Sequence, residues 1–352
     1  MNGTEASVSH LSSDTNHIFV GYEVVERNFG GGIDIFDADD PTALGENRVT
    51  SVKSDQVDVQ EVVDKDTTNG PEDIPPLFVT GAQAPPGPLV NTPSATLKLL
   101  TSLSGADVTT KRLSGNVAKS VEDIPPNVDS DGLKHRVFSG TDDSTIRRFG
   151  EDLEDQFTQS VEFREWSSVT ATSNGVFVLS KSGGIWKSSL SAGLQNQSPL
   201  VNVATLDGSG INENGIAGLE SSRPAGGCPL LFAALNTGGF RVLGSSADAV
   251  RLNRTSGDYT SATMPRGGQL LFASEKSGTT EVFEYDSNNQ VFNSTPIKTT
   301  DFSGVSETSQ INQVIRADDF VYVATSDGVL VPEVISEPSG NSGVKKAAKG
   351  RC

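Results

Sequence analysis

Three side-chain oxygens at alternate positions, Asn127, Asp129 and Asp131, are followed by Gly132. Alternation turns successive oxygens to one side of a loop and the glycine permits the bend, as in the first half of an acidic calcium loop. The second half does not follow. Counted from Asn127, the position that needs a bidentate carboxylate holds Phe138, and no helical periodicity flanks the segment. An Asp/Asn/Gly surface turn ahead of a strand accounts for the same residues. Calcium is the one cofactor they would take; otherwise no cofactor is expected. Asp37, Asp39 and Asp40 form a second acidic group, again explained by solvated turn carboxylates.

Other chemistry is short of parts. The three histidines are His10, His17 and His135, two of them near the start, which leaves little imidazole for zinc or for activating a nucleophile. Cys228 precedes Pro229 and an apolar run with no histidine nearby in sequence, so it reads as a buried inert thiol. Cys352 closes a polar tail and is expected to be exposed. Glycoside cleavage needs a pair of carboxylates, but 45 Asp+Glu residues make such pairs impossible to select. Gly30, Gly31 and Gly32, and the turn around Gly208 and Gly210, precede no helical pattern and lack the lysine of a phosphate loop. No catalytic residue is nominated. Trp166 and Trp186 read as packing residues rather than as a sugar platform. Four glycosylation sequons occur, at Asn2, Asn196, Asn253 and Asn293, and matter only on a glycosylating secretory route.

Charge narrows the partners. Against 45 acids stand 27 Lys+Arg, a formal net charge of -18, and such a field repels phosphate backbones and anionic headgroups. No nucleic acid is expected as a partner. The apolar runs are only a few residues long, as in Leu230 to Leu235, where a spanning helix needs about 20. No membrane insertion is expected. Met1 to Asn16 is polar, without the basic start and apolar stretch of a secretory signal, so the chain is either cytoplasmic or begins after a removed leader.

The elements that would position any site are strands. Val176-Phe177-Val178-Leu179, a turn at Lys181 to Gly184, and Ile185-Trp186-Lys187 form a hairpin pattern. The plan recurs from Leu230 to Leu243, from Leu270 to Tyr285 and from Phe320 to Val331. It recurs with longer insertions from Ile18 to Asp37, from Leu77 to Leu99 and from Arg136 to Phe149. The anchors Phe19, Phe78, Phe138, Phe177, Phe232, Phe272 and Tyr322 are spaced about 50 residues apart on average, the period of a propeller blade. Each apolar run breaks into a small residue, among them Gly21, Thr80, Ala233 and Ala324, as crowding near a shared axis would favour. The fold class is therefore all-β, a β-propeller of seven blades of four-stranded antiparallel sheets. A two-domain sandwich would make the recurrence accidental. The propeller spans 17–336, after a polar N-terminal arm, 1–16, and before a flexible basic tail, 337–352. Arg48 to Pro76 and Gly150 to Val169 are expected to leave the blades as loops.

His17 to Pro41 contains Ile18-Phe19-Val20-Gly21 and then Gly32-Ile33-Asp34-Ile35-Phe36-Asp37-Ala38-Asp39-Asp40-Pro41. A glycine before an alternating apolar strand, an aspartate ending it and a proline soon after resemble one blade of the LVIVD-repeat family of bacterial and archaeal surface propellers. The later units keep the glycine and strand, as in Gly239-Phe240-Arg241-Val242, without the terminal Asp-x-x-x-Pro. The Gly-His and Trp-Asp signatures of WD-repeat scaffolds are absent. The resemblance implies an extracellular or cell-surface propeller of binding or scaffolding character and carries over no catalytic residue. The expected function is non-enzymatic binding of protein or glycan partners. The alternative is a propeller hydrolase or lyase with carboxylates or calcium at the axial channel.

Overall fold

The computed structural model describes residues 6–13, 17–24, 31–37, 48–51, 54–61, 77–84, 93–100, 108–116, 118–124, 136–141, 145–149, 153, 155–160, 166–172, 175–180, 183–188, 201–206, 216–222, 224, 227–235, 239–244, 247, 250–264, 268–301, 311–317, 320–325 and 330–334. Among the described residues the protein is all-β, with strands and no helix.

The strands form small sheets that each use one stretch of chain. The first sheet is β1 (Ala6–Ser13), β2 (His17–Val24), β3 (Gly32–Asp37) and β4 (Arg48–Ser51). The second is β5 (Ser54–Glu61), β6 (Leu77–Gln83), β7 (Ser94–Leu100) and β8 (Val108–Arg112). The third is β9 (Ala118–Ile124), β10 (Arg136–Thr141), β11 (Thr145–Phe149) and β12 (Asp155–Ser160). The fourth is β13 (Trp166–Thr172), β14 (Gly175–Ser180), β15 (Gly184–Ser188) and β16 (Val201–Thr205). The fifth is β17 (Ile216–Ser222), β18 (Leu230–Leu235), β19 (Gly239–Gly244) and β20 (Val250–Arg254). The sixth is β21 (Tyr259–Thr263), β22 (Leu270–Glu275) and β23 (Thr279–Asp286), with β24 (Val291–Phe292) and β25 (Lys298–Asp301) both paired to β23. The last is β26 (Ile311–Ala317), β27 (Phe320–Thr325) and β28 (Leu330–Val334).

Every pairing is antiparallel, and strand order within each sheet follows the chain. The seven spaced aromatic anchors all fall on the second strand of a sheet, from Phe19 on β2 to Tyr322 on β27. Phe19, Phe78, Phe177, Phe232, Phe272 and Tyr322 are buried. A second strand is paired on both sides and faces a neighbouring sheet on each surface. It therefore reads as a near-continuous apolar run, and that is why the sequence displays it.

The core lies between sheets. Phe19, Ile33 and Ile35 of the first pack on Leu77, Val79 and Leu100 of the second. Phe78, Leu97 and Leu99 of the second meet Val121 and Phe149 of the third. Phe177 and Ile185 of the fourth meet Leu231 and Leu243 of the fifth. Phe232, Phe240 and Val242 of the fifth meet Tyr259, Leu271 and Phe283 of the sixth. Phe272 and Val282 of the sixth meet Val314 and Val323 of the last, and Ile315 and Tyr322 of the last meet Ile18 and Val20 of the first. The first strands follow the same order: β1 touches β5, β5 touches β9, β9 touches β13, β13 touches β17, β17 touches β21, β21 touches β26, and β26 touches β1.

Two expectations are corrected. The stretch read as an N-terminal arm carries β1, which pairs with β2 from Ala6 opposite Val24 to Ser13 opposite Ile18. The segments read as long loops carry β4 and β5, and β12 with the start of β13. These are first and last strands of sheets; β5, for example, is polar at most positions, and without an apolar run it does not announce itself. The tail expected at 337–352 lies outside the described residues.

Candidate functional site

Asn127, Asp129 and Asp131 lie outside the described residues, as do Asp39 and Asp40, while Asp37 ends β3. Among the described residues no group of three or more His, Cys, Asp or Glu side chains is placed to hold a metal. The polar side chains that are brought together lie instead in the seams between sheets.

The densest group joins the fifth and sixth sheets. Arg254, at the end of β20, donates from Nη2 to Glu281 Oε1 on β23 at 2.5 Å. Tyr259, at the start of β21, donates its hydroxyl to Glu281 Oε2 at 2.5 Å. Arg241 on β19 donates from Nη1 to the Arg254 and Phe240 carbonyls. Aromatic rings enclose the group: the Arg254 guanidinium stands 5.5 Å from the Phe283 centroid, and Phe240 meets Tyr259 and Phe283 edge-on at 4.8 and 5.5 Å. The Tyr259 hydroxyl is held well above its ordinary pKa, first because burial penalises the phenolate and next because it donates to Glu281. It therefore stays a donor across the neutral range. Both carboxylate oxygens have donors, so the group acts as a latch between sheets rather than as an acid–base pair.

Local backbone geometry sets this latch. Gly239 has φ +81° and donates its N–H to the Gly257 carbonyl at 3.0 Å. A Cβ at Gly239 would stand 1.9 Å from the Arg254 carbonyl oxygen, so no other residue lets the β18–β19 turn approach the end of β20 this closely. Gly257, at φ +102°, lets the β20–β21 linker pass beside Tyr259 and Glu275. The linker is tied onward, because Lys276 N–H donates to the Asp258 carbonyl at 2.7 Å. The Thr260 hydroxyl reaches the Ile311 carbonyl at 2.7 Å, and the Ser261 hydroxyl accepts from Val314 N–H at 3.3 Å, which bonds the sixth sheet to the last.

A second polar pair sits between the last and first sheets. Tyr22 on β2 donates to Asp34 on β3 beside Phe36. Burial raises the Asp34 carboxyl above its ordinary value, and the bond from Tyr22 partly offsets this. Tyr22 is raised as well, chiefly by burial.

Lys98 is the third feature. It lies opposite Val79 and shares that sheet face with Leu100, against Phe19, Ile33 and Ile35. The side chain is 3% exposed, and burial draws its ammonium pKa down to about 8. Thr96, two residues away on the same face, has a buried hydroxyl without a hydrogen-bond partner among the described residues.

Sequence reading missed all three groups. Lys98 carries a signal, a cation inside Ala95-Thr96-Leu97-Lys98-Leu99-Leu100 where the other positions are apolar or hydroxyl-bearing. The partners of Glu281 are 22 and 27 residues away, and no local pattern connects them. Cys228 also differs from expectation: it is disulfide-bonded rather than a free buried thiol. It is only half-buried. Cys352 lies outside the described residues.

No family model and no curated protein sequence matches the chain. Among solved structures, the computationally designed Ika8 protein is similar at 13% identity and a TM-score of 0.53, over 95% of this chain and 98% of that one. Raptor of Chaetomium thermophilum is similar at 13% identity and a TM-score of 0.65, over 96% of this chain. This chain spans 28% of the Raptor chain. At such identities the likeness concerns the fold alone.

Proposed function

We propose that the chain is a seven-bladed β-propeller that serves as a non-enzymatic binding or scaffolding module for a protein or glycan partner at a cell or particle surface. The observation that carries this reading is the order of contacts, in which each sheet packs on the next and β26 and β27 of the last pack on β1 of the first. Sheets arranged so would form a rigid disk with loops on two faces, a platform suited to binding. Glu281, in the seam between the fifth and sixth sheets, is engaged by Arg254 and Tyr259 in holding those two sheets together. The disulfide at Cys228 supports an oxidising, extracytoplasmic compartment.

The test is direct. The folded chain, labelled through surface amines, is applied to an immobilised glycan array and, with photo-crosslinking, to intact source cells. Saturable binding to one glycan class or one surface protein is expected. Turnover of glycoside or ester substrates, together with stoichiometric calcium by elemental analysis, would overturn the reading.

A further inference from the structure

We propose that Asn253 and Asn293 are N-glycosylated, and that the glycans cover the outer strands of the fifth and sixth sheets; this rests on the extracytoplasmic reading above.

Both residues head intact sequons, Asn253-Arg254-Thr255 and Asn293-Ser294-Thr295. Both asparagines are exposed, as are Thr255, Ser294 and Thr295. Asn253 lies on β20, the outermost strand of its sheet, opposite Arg241, and Asn293 directly follows β24. The bond in which Asn293 takes part runs from its backbone N–H to the Glu284 carbonyl at 3.1 Å, so its side-chain amide is left to solvent. A glycan on Asn253 would leave the Arg254–Glu281 bond undisturbed, because Leu252 and Arg254 share one face of β20 and the exposed Asn253 side chain lies on the other.

Apolar surface argues for a cover at the same place. Val250, Val291 and Ile297 are three of the exposed large hydrophobic residues, at 59%, 38% and 46% exposure. Val250 is on β20 with Asn253, and Val291 and Ile297 flank Asn293 in sequence, while β20 and β24 touch. Among the described residues β20 pairs on one side only, with β19, and an edge strand with an exposed valine invites edge-to-edge pairing that a hydrated glycan on it blocks. In the modification the asparagine Nδ2 bonds to the anomeric carbon of a lipid-diphosphate-linked oligosaccharide. The bond from that carbon to the diphosphate oxygen breaks, the lipid diphosphate leaves, and the amide loses one proton.

The protein purified from its own source is divided for two measurements. Alkylation before and after reduction, read by peptide mass, reports the state of Cys228. Deglycosylation by an amidase in heavy-oxygen water reports occupancy, by converting glycosylated asparagine to labelled aspartate. Oxidised Cys228 with label at positions 253 and 293 is the expected result. Oxidised Cys228 with both asparagines unlabelled overturns this proposal and leaves the compartment reading standing. Reduced Cys228 with no label overturns both. The N253Q/N293Q variant, made in the same source, is expected to lose the mobility shift and to self-associate more readily.

Discussion

Tyr259 and Arg254 hold the two oxygens of one carboxylate, that of Glu281, each at 2.5 Å and each from a different strand of the fold. Glu281→Gln keeps the shape but turns one acceptor oxygen into an amide that faces a donor. With the Glu281 side chain only 12% exposed, the loss is expected at about 2 kcal/mol in urea unfolding. Tyr259→Phe should cost less, because Arg254 remains bound to the carboxylate.

Gly239 admits a sharper test. Alanine there would combine a left-handed φ of +81° with a Cβ 1.9 Å from a backbone oxygen. Gly239→Ala is expected to destabilise by about 2 kcal/mol or more, beyond the ordinary strain of the left-handed region alone. Gly257→Ala meets mainly the side chains of Glu275 and Tyr259, and should shift the Tyr259 ring contacts seen by aromatic NMR.

Lys98 predicts a pH response of definite sign. Its folded pKa of about 8 lies below the ordinary 10.5, so between these values the unfolded chain binds more protons. Stability therefore rises with pH across that window. From pH 8 to 10 the gain should be about 2 kcal/mol, and Lys98→Met should abolish it. Above pH 10 the raised tyrosines reverse the trend, since a group whose folded pKa is raised loses its contribution as pH climbs past the unfolded value. A series of chemical denaturation curves at closely spaced pH reads both limbs.

Breaking the disulfide of Cys228 by Cys228→Ser is expected to lower stability by about 2–4 kcal/mol. Thermal scans of the wild type and the variant, each with and without reductant, check it: reductant should lower the wild-type transition and leave that of the variant unchanged.

The proposed propeller predicts one cooperative unit. Tyr322→Ala, between the last and first sheets, and Phe78→Ala, between the second and third, are each expected to cost about 3–5 kcal/mol. Calorimetry should show both lowering the same single transition. Two separate transitions would count against a shared ring.

What could be read from the sequence follows from where each strand sits. Phe177 and Phe232 stand in runs that are buried on both faces, and such runs are visible without a structure. β5 is visible only by its place before β6, since its alternation is weak and its residues mostly polar. The turn glycines were legible as turns, but the role of Gly239 depends on the approach of Arg254, which no local pattern records. The seam groups escaped for the same reason. Glu281 is one acid among 45 until the fold brings Tyr259 and Arg254 to it.

Each sheet is cut from one uninterrupted length of chain, so β1 and β28 belong to different sheets. The last and first sheets thus meet through side chains such as Ile18, Val20, Ile315 and Tyr322, with no ladder shared between them among the described residues. Parting the last sheet from the first at these residues would expose apolar side chains and break no strand-to-strand ladder, so the closure there is held by burial and shape rather than by backbone hydrogen bonds.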